Sequence, residues 1–448
     1  MVSLRNDTAE KIAFCEEAVQ RSTISVSGLR GERPLDEILA DIERTADLPL
    51  ARATTLPPEV YTSEAFYQWE IDHIFKPEWL CLAHISQIAQ PGDFLAIDLL
   101  GEPLIVVRGK DDAIRVLSRT CPHRGMDIMP PGFGRDGHGT AVPKEEQPGC
   151  GNTRLFLCPY HSWTFELDGR LKACPEMHRA EGFARDDHGL REFRSEVWNG
   201  FVFVNLSGLA EPLAGRLAEM DADFGQWNPA DMKIVVQREW DCPFNWKVLV
   251  ENFMESYHHL GAHAKTLQPM MPARDTWNEQ ERELYVRCHL PFKDAVLDEL
   301  HANEHPFGFP TIETLDASKK AESGLFLVHP NFLIFTLPDR IVWYRVEPLG
   351  PHRMKLLTTM LVPSATAARP DFEEMLEREL PLFFEFHLED MEMCTAIQRG
   401  MVSIGAQRGR LSHLEMSVWL VQRYLAARAR GTWPTLDRPA APSQKPDS

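Results

Sequence analysis

The sequence predicts an α+β fold in two parts. A small all-β region is followed by a larger region in which an antiparallel sheet shares its core with long helices. Three observations carry this. From Gly92 to about Leu171, short apolar runs alternate with turn residues. Between Leu325 and Val362, three longer β-type runs are separated by Pro338-Asp339 and Gly350-Pro351, the pattern of a meander. Helical patterning precedes that meander, from Trp246 to about Lys265, and follows it, from about Asp371 to Arg399 and again from Ser412.

Taken in order, residues 1–55 read as a charged helical extension that ends at the Pro57-Pro58 break. Apolar residues from Glu70 to Ala83 lead into Trp79. DFLAIDLLG, EPLIVVRG and AIRVLSRT are strands, with Lys110-Asp111-Asp112 as a turn, and the first domain is placed at 56–185. The second, 186–431, opens with the β-rich VWNGFVFVNL. Its meander strands are FLVHPNFLIFTL, RIVWYRVEP and RMKLLTTMLV, and Ser412-His413-Leu414-Glu415 fits a capping box at the start of the last helix. Residues 432–448, rich in Pro, Ser and Asp, are predicted to be a disordered tail.

Bulk properties narrow the function. A chain of 448 residues has room for roughly two or three domains. A net charge of -19 repels phosphate and argues against nucleic acid as a partner. No apolar run reaches the roughly 18 residues that span a bilayer, and the first residues lack a signal-peptide core, so no membrane partner and a cytoplasmic location are expected. Nine scattered cysteines do not form a disulfide framework. Cys15, Cys81, Cys242 and Cys288 lie in mixed or apolar surroundings and read as packing residues.

Two Cys-His pairs stand apart from these. Cys121-Pro122-His123 and Cys158-Pro159-Tyr160-His161 each follow a strand-like run and open into turn residues, so each sits on a loop tip. Two such loops face to face supply two thiolates and two imidazoles. Three readings compete: a structural Cys₂His₂ zinc site, unliganded loop cysteines, and a [2Fe–2S] centre with two Cys on one iron and two His on the other. A Pro after each Cys, the flanking Tyr160 and Trp163, and a β host instead of a ββα finger favour the third.

CPHRG and CPYHSW resemble the Rieske family's C-x-H-x-G and C-P-x-H-G-W. The resemblance implies one [2Fe–2S] cluster held by Cys121, His123, Cys158 and His161. This sequence departs from the pattern at Ser162, where the family usually has Gly, and in the long spacer between His123 and Cys158. The insertion GFGRDGHGTAVPKEEQPGCGN reads as a surface loop whose His138 and Cys150 are bystanders.

The second concentration of ligand-type residues is Glu251–His263, ENFMESYHHLGAH. On a regular helix His258 and His263 diverge, and they meet only if the helix ends or bulges between them. His259 and His263, four apart, share a face more easily, so spacing alone leaves both pairs open. Two His and one carboxylate make the facial triad of non-haem Fe(II) oxygenases. NWKVLVENFMESYHHLGAH resembles the mononuclear-iron segment of Rieske non-haem iron oxygenase catalytic subunits, whose core is [DE]-x-x-H-x4-H. That resemblance implies His258 and His263 as metal ligands, Glu255 at the bridging acidic position and Asn252 beside the iron. In HLEDMEMCTAIQRG an acidic pair precedes Gln-x-Gly, as in the family's late helix; this implies Asp390 as the third ligand, with Glu389 and Glu392 as the near competitors.

Both motifs occur in the family's order, and the resemblance covers roughly residues 55–430. It implies an N-terminal Rieske domain and a helix-grip catalytic domain with one Fe(II). The implied protein is a terminal oxygenase that hydroxylates a small organic substrate with O₂, by ring dihydroxylation or by monooxygenation with loss of an N- or O-methyl group. Electrons would come from NAD(P)H through a separate flavin reductase, directly or through a ferredoxin, because no G-x-G-x-x-G follows a strand here. A homotrimer, with or without a β subunit, is implied, with Glu255 joining His258 to His161 of another subunit. Glu at that position also occurs in family members acting on quaternary ammonium compounds, and Trp343 and Tyr344 offer rings for a cation; aromatic rings are equally open as substrates. The competing classes are an electron-transfer protein without oxygenase activity and a zinc-stabilised binding protein.

Overall fold

The computed structural model describes residues 31–129, 149–282, 284–302 and 307–432. They form two compact units, 76–213 and a second that joins 31–75 to 214–432.

The first unit is built on an antiparallel sheet of seven strands. In chain order these are β1 (Trp79–His84), β2 (Asp93–Leu99), β3 (Glu102–Arg108), β4 (Ile114–Ser118) and β5 (Cys150–Asn152). Three short strands follow and pair with one another: β6 (Phe156–Leu157), β7 (Thr164–Phe165) and β8 (Leu171–Ala173). β9 (Glu192–Trp198) and β10 (Phe201–Asn205) then complete the seven, in the order β1-β10-β9-β4-β3-β2-β5. VWNGFVFVNL therefore belongs to the first unit, not to a domain opening at 186. Asn199-Gly200, both with positive φ, turn β9 into β10, and β10 pairs with β1 from Trp79↔Asn205 to His84↔Phe201. A buried cluster that includes Ile105, Leu117, Phe156, Trp163 and Phe165 fills the space under the two Cys-His loops.

The second unit also carries a seven-stranded antiparallel sheet: β11 (Met232–Cys242), β12 (Trp277–Asn278), β13 (Tyr285–Pro291), β14 (Glu322–Val328), β15 (Phe332–Leu337), β16 (Arg340–Gly350) and β17 (Arg353–Pro363). β12 to β17 run as a meander, and β11 closes the far edge beside β17. FLVHPNFLIFTL is two strands, not one. His329-Pro330-Asn331 makes the turn between β14 and β15, and Pro330 has no N–H to give a ladder. The turns at Pro338-Asp339 and beyond Gly350 fall where expected.

Five helices of this unit position the site. α1 (Leu35–Ala46) and α2 (Glu64–Glu70) come from the N-terminal segment, and α3 (Trp246–Phe253), α4 (Phe372–Met401) and α5 (Met416–Ala429) from the part after residue 213. α1 is no appendage. The Trp419 indole donates to the Leu48 carbonyl at 2.9 Å, and Arg430 donates to the Glu43 carbonyl at 2.9 Å. Residues 56–75 likewise belong here and not with the first unit: the Lys247 ammonium on α3 donates to Glu70 on α2 at 2.7 Å, with both side chains fully buried. The cost of desolvating both charges offsets much of the attraction, so the pair adds little net stability, but losing either partner would strand a buried charge. The capping box at Ser412 and Glu415 is present. Residues 1–30 of the predicted extension and 433–448 of the predicted tail lie outside the described residues, as does His138. Among the described residues no helix is long and apolar enough to cross a membrane.

Candidate redox and metal centres

In the first unit the two Cys-His loops are built alike. The Cys121 N–H donates to the Met126 carbonyl at 2.8 Å and the Cys121 carbonyl accepts from Gly125 N–H at 2.9 Å; Cys158 does the same with Trp163 at 2.8 Å and Ser162 at 3.1 Å. The fourth residue after each Cys is left-handed, Gly125 at φ 69° and Ser162 at φ 60°. Ser162 therefore holds the backbone shape that Gly takes without strain, at a cost of about 1 kcal/mol.

This geometry sorts the four side chains. Cys121 and Cys158 are buried, 1% and 2% exposed, and point at each other, while His161 is exposed and His123 half-buried. The His123 ring stacks on Trp163 at 4.7 Å and lies 4.7 Å from the His161 ring. Burial, with Cys158 beside it, pushes the Cys121 thiol up to about 11. Two thiols facing each other inside and two imidazoles facing out fit a diiron cluster with thiolates on the inner iron and imidazoles on the outer one. Binding it would release the thiol protons. Cys150 lies on β5, exposed, and Cys81, Cys242 and Cys288 are buried packing residues.

In the second unit, Asn245 caps α3 through its side chain, which accepts from Lys247 N–H at 3.0 Å. The helix stops at Phe253, so the predicted helix to Lys265 is shorter than expected. Beyond the break one Glu255 oxygen accepts from the His258 backbone N–H at 3.1 Å, within a new single turn, Tyr257–Leu260. The same carboxylate's other oxygen meets His258 Nδ1 at 2.7 Å.

The break resolves which histidines converge. His258, His263 and Asp390 bring one ligand atom each within 4.8 Å of one another. Asp390 Oδ1 lies 2.9 Å from His263 Nε2 and 3.5 Å from His258 Nε2. His259 turns away, with Nδ1 on the Met271 carbonyl at 3.1 Å, and burial, with His258 beside it, lowers its pKa to about 3. Burial pulls the two converging imidazoles down as well, but Glu255 for one, and Asp390 with Glu389 for the other, outweigh it and leave both raised. Burial would raise Asp390; the two histidines more than offset it. A divalent cation among these three atoms would replace the protons, the pH-linked behaviour of a His₂-carboxylate site.

The other acids fall elsewhere. Glu392 is exposed. Glu389 is not in the triad but accepts from His263 Nδ1 at 2.7 Å and from Thr266 Oγ1 at 2.7 Å. That role and Thr266 were missed in the sequence; the acidic pair was the available signal. Asn252 is buried on the last turn of α3, and among the described residues it joins none of the hydrogen bonds that tie Glu255, His258, His263, Glu389 and Asp390 together. The expected aromatic pair splits. Tyr344 packs between Phe253 at 5.1 Å and His387 at 5.9 Å, whereas Trp343 points to the other face of the sheet, toward Phe332.

Comparison with known proteins agrees with both halves. Residues 78–193 match the Rieske [2Fe-2S] domain, and residues 229–431 match the family described as ring hydroxylating alpha subunit (catalytic domain). The carnitine monooxygenase oxygenase subunit of Acinetobacter pittii (strain PHEA-2) is 33% identical over 213 residues, 47% of this chain and 53% of that one, so the chain spans about half the length of this curated relative. The glycine betaine monooxygenase oxygenase subunit of Chromohalobacter salexigens is 26% identical over 404 residues, 84% of this chain and 86% of that one. Among solved structures, the quaternary ammonium Rieske monooxygenase CntA in complex with L-carnitine superposes with a TM-score of 0.68 over 89% of this chain and 100% of that one, at 23% identity, a likeness of fold.

Proposed function

Because the chain belongs to the Rieske-type ring-hydroxylating alpha-subunit family, we propose that it is a terminal oxygenase acting on a small organic substrate. The observation that carries this reading is the convergence of His258, His263 and Asp390 within 4.8 Å, in a chain that also bears the paired Cys-His loops. Cys121 and Cys158 would hold one cluster iron and His123 and His161 the other, and His258, His263 and Asp390 would hold the mononuclear Fe(II). When bound, these groups supply single electrons and the activation of O₂ for attack on a C–H bond or an aromatic ring.

The chain's own residues do the positioning. Glu255 accepts from His258 Nδ1, which leaves the Nε2 lone pair facing Asp390. In an assembled oligomer, taken here as a homotrimer, Glu255 also reaches His161 of the partner subunit and links the outer cluster ligand to the metal ligand. The exposed His161 and the buried thiols support that direction of electron flow. A separate NAD(P)H-linked reductase, with or without a ferredoxin, supplies the electrons.

The substrate class we favour is a small N-methylated molecule, after the carnitine and glycine betaine relatives. The test is turnover of carnitine, glycine betaine and choline against biphenyl, with O₂ and a surrogate reductase, read by mass spectrometry. Loss of a methyl group or gain of one oxygen with the ammonium compounds is expected. A diol from biphenyl alone would move the protein to the ring dioxygenases, and no product with any substrate, from protein carrying both iron centres, would overturn the substrate assignment.

A further inference from the structure

We propose that Glu389 is a positioning residue for His263, the carboxylate that sets the ring's orientation and donor strength and thereby the affinity of the metal centre. The inference rests on the reading of His258, His263 and Asp390 as metal ligands.

The two acids Glu389 and Asp390 are neighbours on α4, about 100° apart around the helix. They approach the two edges of one imidazole. Asp390 Oδ1 faces His263 Nε2 at 2.9 Å, and Glu389 Oε2 faces Nδ1 at 2.7 Å. An Nδ1–H donated to Glu389 leaves the Nε2 lone pair for the metal. A carboxylate acceptor, unlike a carbonyl, also pushes charge onto the ring.

Glu389 is itself fixed. Thr266 Oγ1 donates to the same Oε2 at 2.7 Å, and Thr266 follows His263 by three residues in the same run of turns. The oxygen that holds His263 is thus held by the segment carrying His263, which ties that segment to α4. His263 is fully buried, while the Glu389 side chain is 30% exposed, so its charge reaches water without leaving the ring. His258 has the matching arrangement with Glu255. Each imidazole thus has a carboxylate of its own, contributed by α4 in one case and by the chain just before the histidine in the other.

The test is equilibrium dialysis of the mononuclear-iron-free full-length protein, with its cluster intact, against Co(II), bound cobalt being counted by elemental analysis. Glu389→Ala is expected to weaken Co(II) binding about 10–100-fold. Glu389→Gln keeps an acceptor for Nδ1–H but loses the charge, and is expected to recover part of that loss; Thr266→Val falls between wild type and Glu389→Ala. Glu392→Ala, which removes an exposed charge three residues along the same helix, should bind like wild type. Cobalt uptake lost in His263→Ala but unchanged in Glu389→Ala overturns the inference alone, as does an equal loss in Glu392→Ala. Uptake that His263→Ala does not reduce overturns the metal centre with it.

Discussion

Gln398 Oε1 accepts the backbone N–H of Asn245 at 2.8 Å, so the helix that carries Asp390 holds the start of the helix that leads to His258. The Gln398 amide also donates to the Tyr61 carbonyl at 3.2 Å and meets His352 Nδ1 at 2.9 Å. Asn245 in turn caps α3. One side chain thereby ties together segments that are far apart in the sequence and keeps the two His and the Asp in register. Gln398→Ala strands a buried N–H and should cost about 1–3 kcal/mol. A lower Tm and a lower mononuclear-iron content per chain, with the cluster signal intact, are the expected results. Unchanged iron content would show that the triad does not depend on this tie.

Glu255 serves the His258 backbone and ring together. With Fe(II) supplied in excess, Glu255→Ala should keep the reduced-state EPR signal of the cluster and still bind iron, while product formation falls by about 10–100-fold. The same variant should reduce the cluster normally with dithionite. Turnover near the wild-type rate would remove the proposed link between the two centres.

Ser162 stands at φ 60°, where its counterpart in the other loop is Gly125 at φ 69°. Ser162→Gly relieves that strain but adds backbone freedom to the unfolded chain, so the net gain expected is about 0.5 kcal/mol. Gly125→Ala, whose added Cβ meets nothing within 4 Å, should lose about 1 kcal/mol by backbone strain alone. Thermal unfolding of the cluster-loaded variants, followed at the cluster's visible absorbance, reads both. A destabilised Ser162→Gly would mean that the Ser side chain contributes more than its strain removes.

The cluster loops were legible because each Cys-His pair lies within a few residues, so local turns place the ligands. Partners set by distant contacts were not. VWNGFVFVNL reads as a strand pair, but nothing local says that its neighbour is the distant β1. The pattern from Trp246 predicts too long a helix because neither Gly nor Pro stands at its end; the helix stops at Phe253, and the Glu255 side chain receives the His258 N–H of the next turn. Glu389 and Asp390 differ only in where the His263 ring comes to lie between them, a relationship between segments more than a hundred residues apart. The His329-Pro330-Asn331 turn was hidden inside an apolar run, although Pro330 marked it.

Glu251, one turn before Glu255, links stability to pH. Tyr61 donates its hydroxyl to both carboxylate oxygens at 2.7 and 2.8 Å. Burial raises the Glu251 pKa from 4.5 to about 7, although Tyr61 and Lys247 both work against the rise. Folding therefore favours the protonated acid. Its contribution to stability is fully present below about 4.5, is lost as pH rises toward about 7, and changes no further above that. The shift corresponds to at most ~3 kcal/mol at pH 8. Glu251→Gln is neutral at every pH and keeps an acceptor for Tyr61. It should raise Tm relative to wild type at pH 8 and leave it nearly unchanged at pH 4, where the wild-type carboxyl is protonated in the folded and mostly in the unfolded chain. The difference between variant and wild type cancels the other titrating groups. An equal change in Tm at the two pH values would mean that Glu251 is ionised in the folded protein throughout, with Lys247 or water compensating its charge.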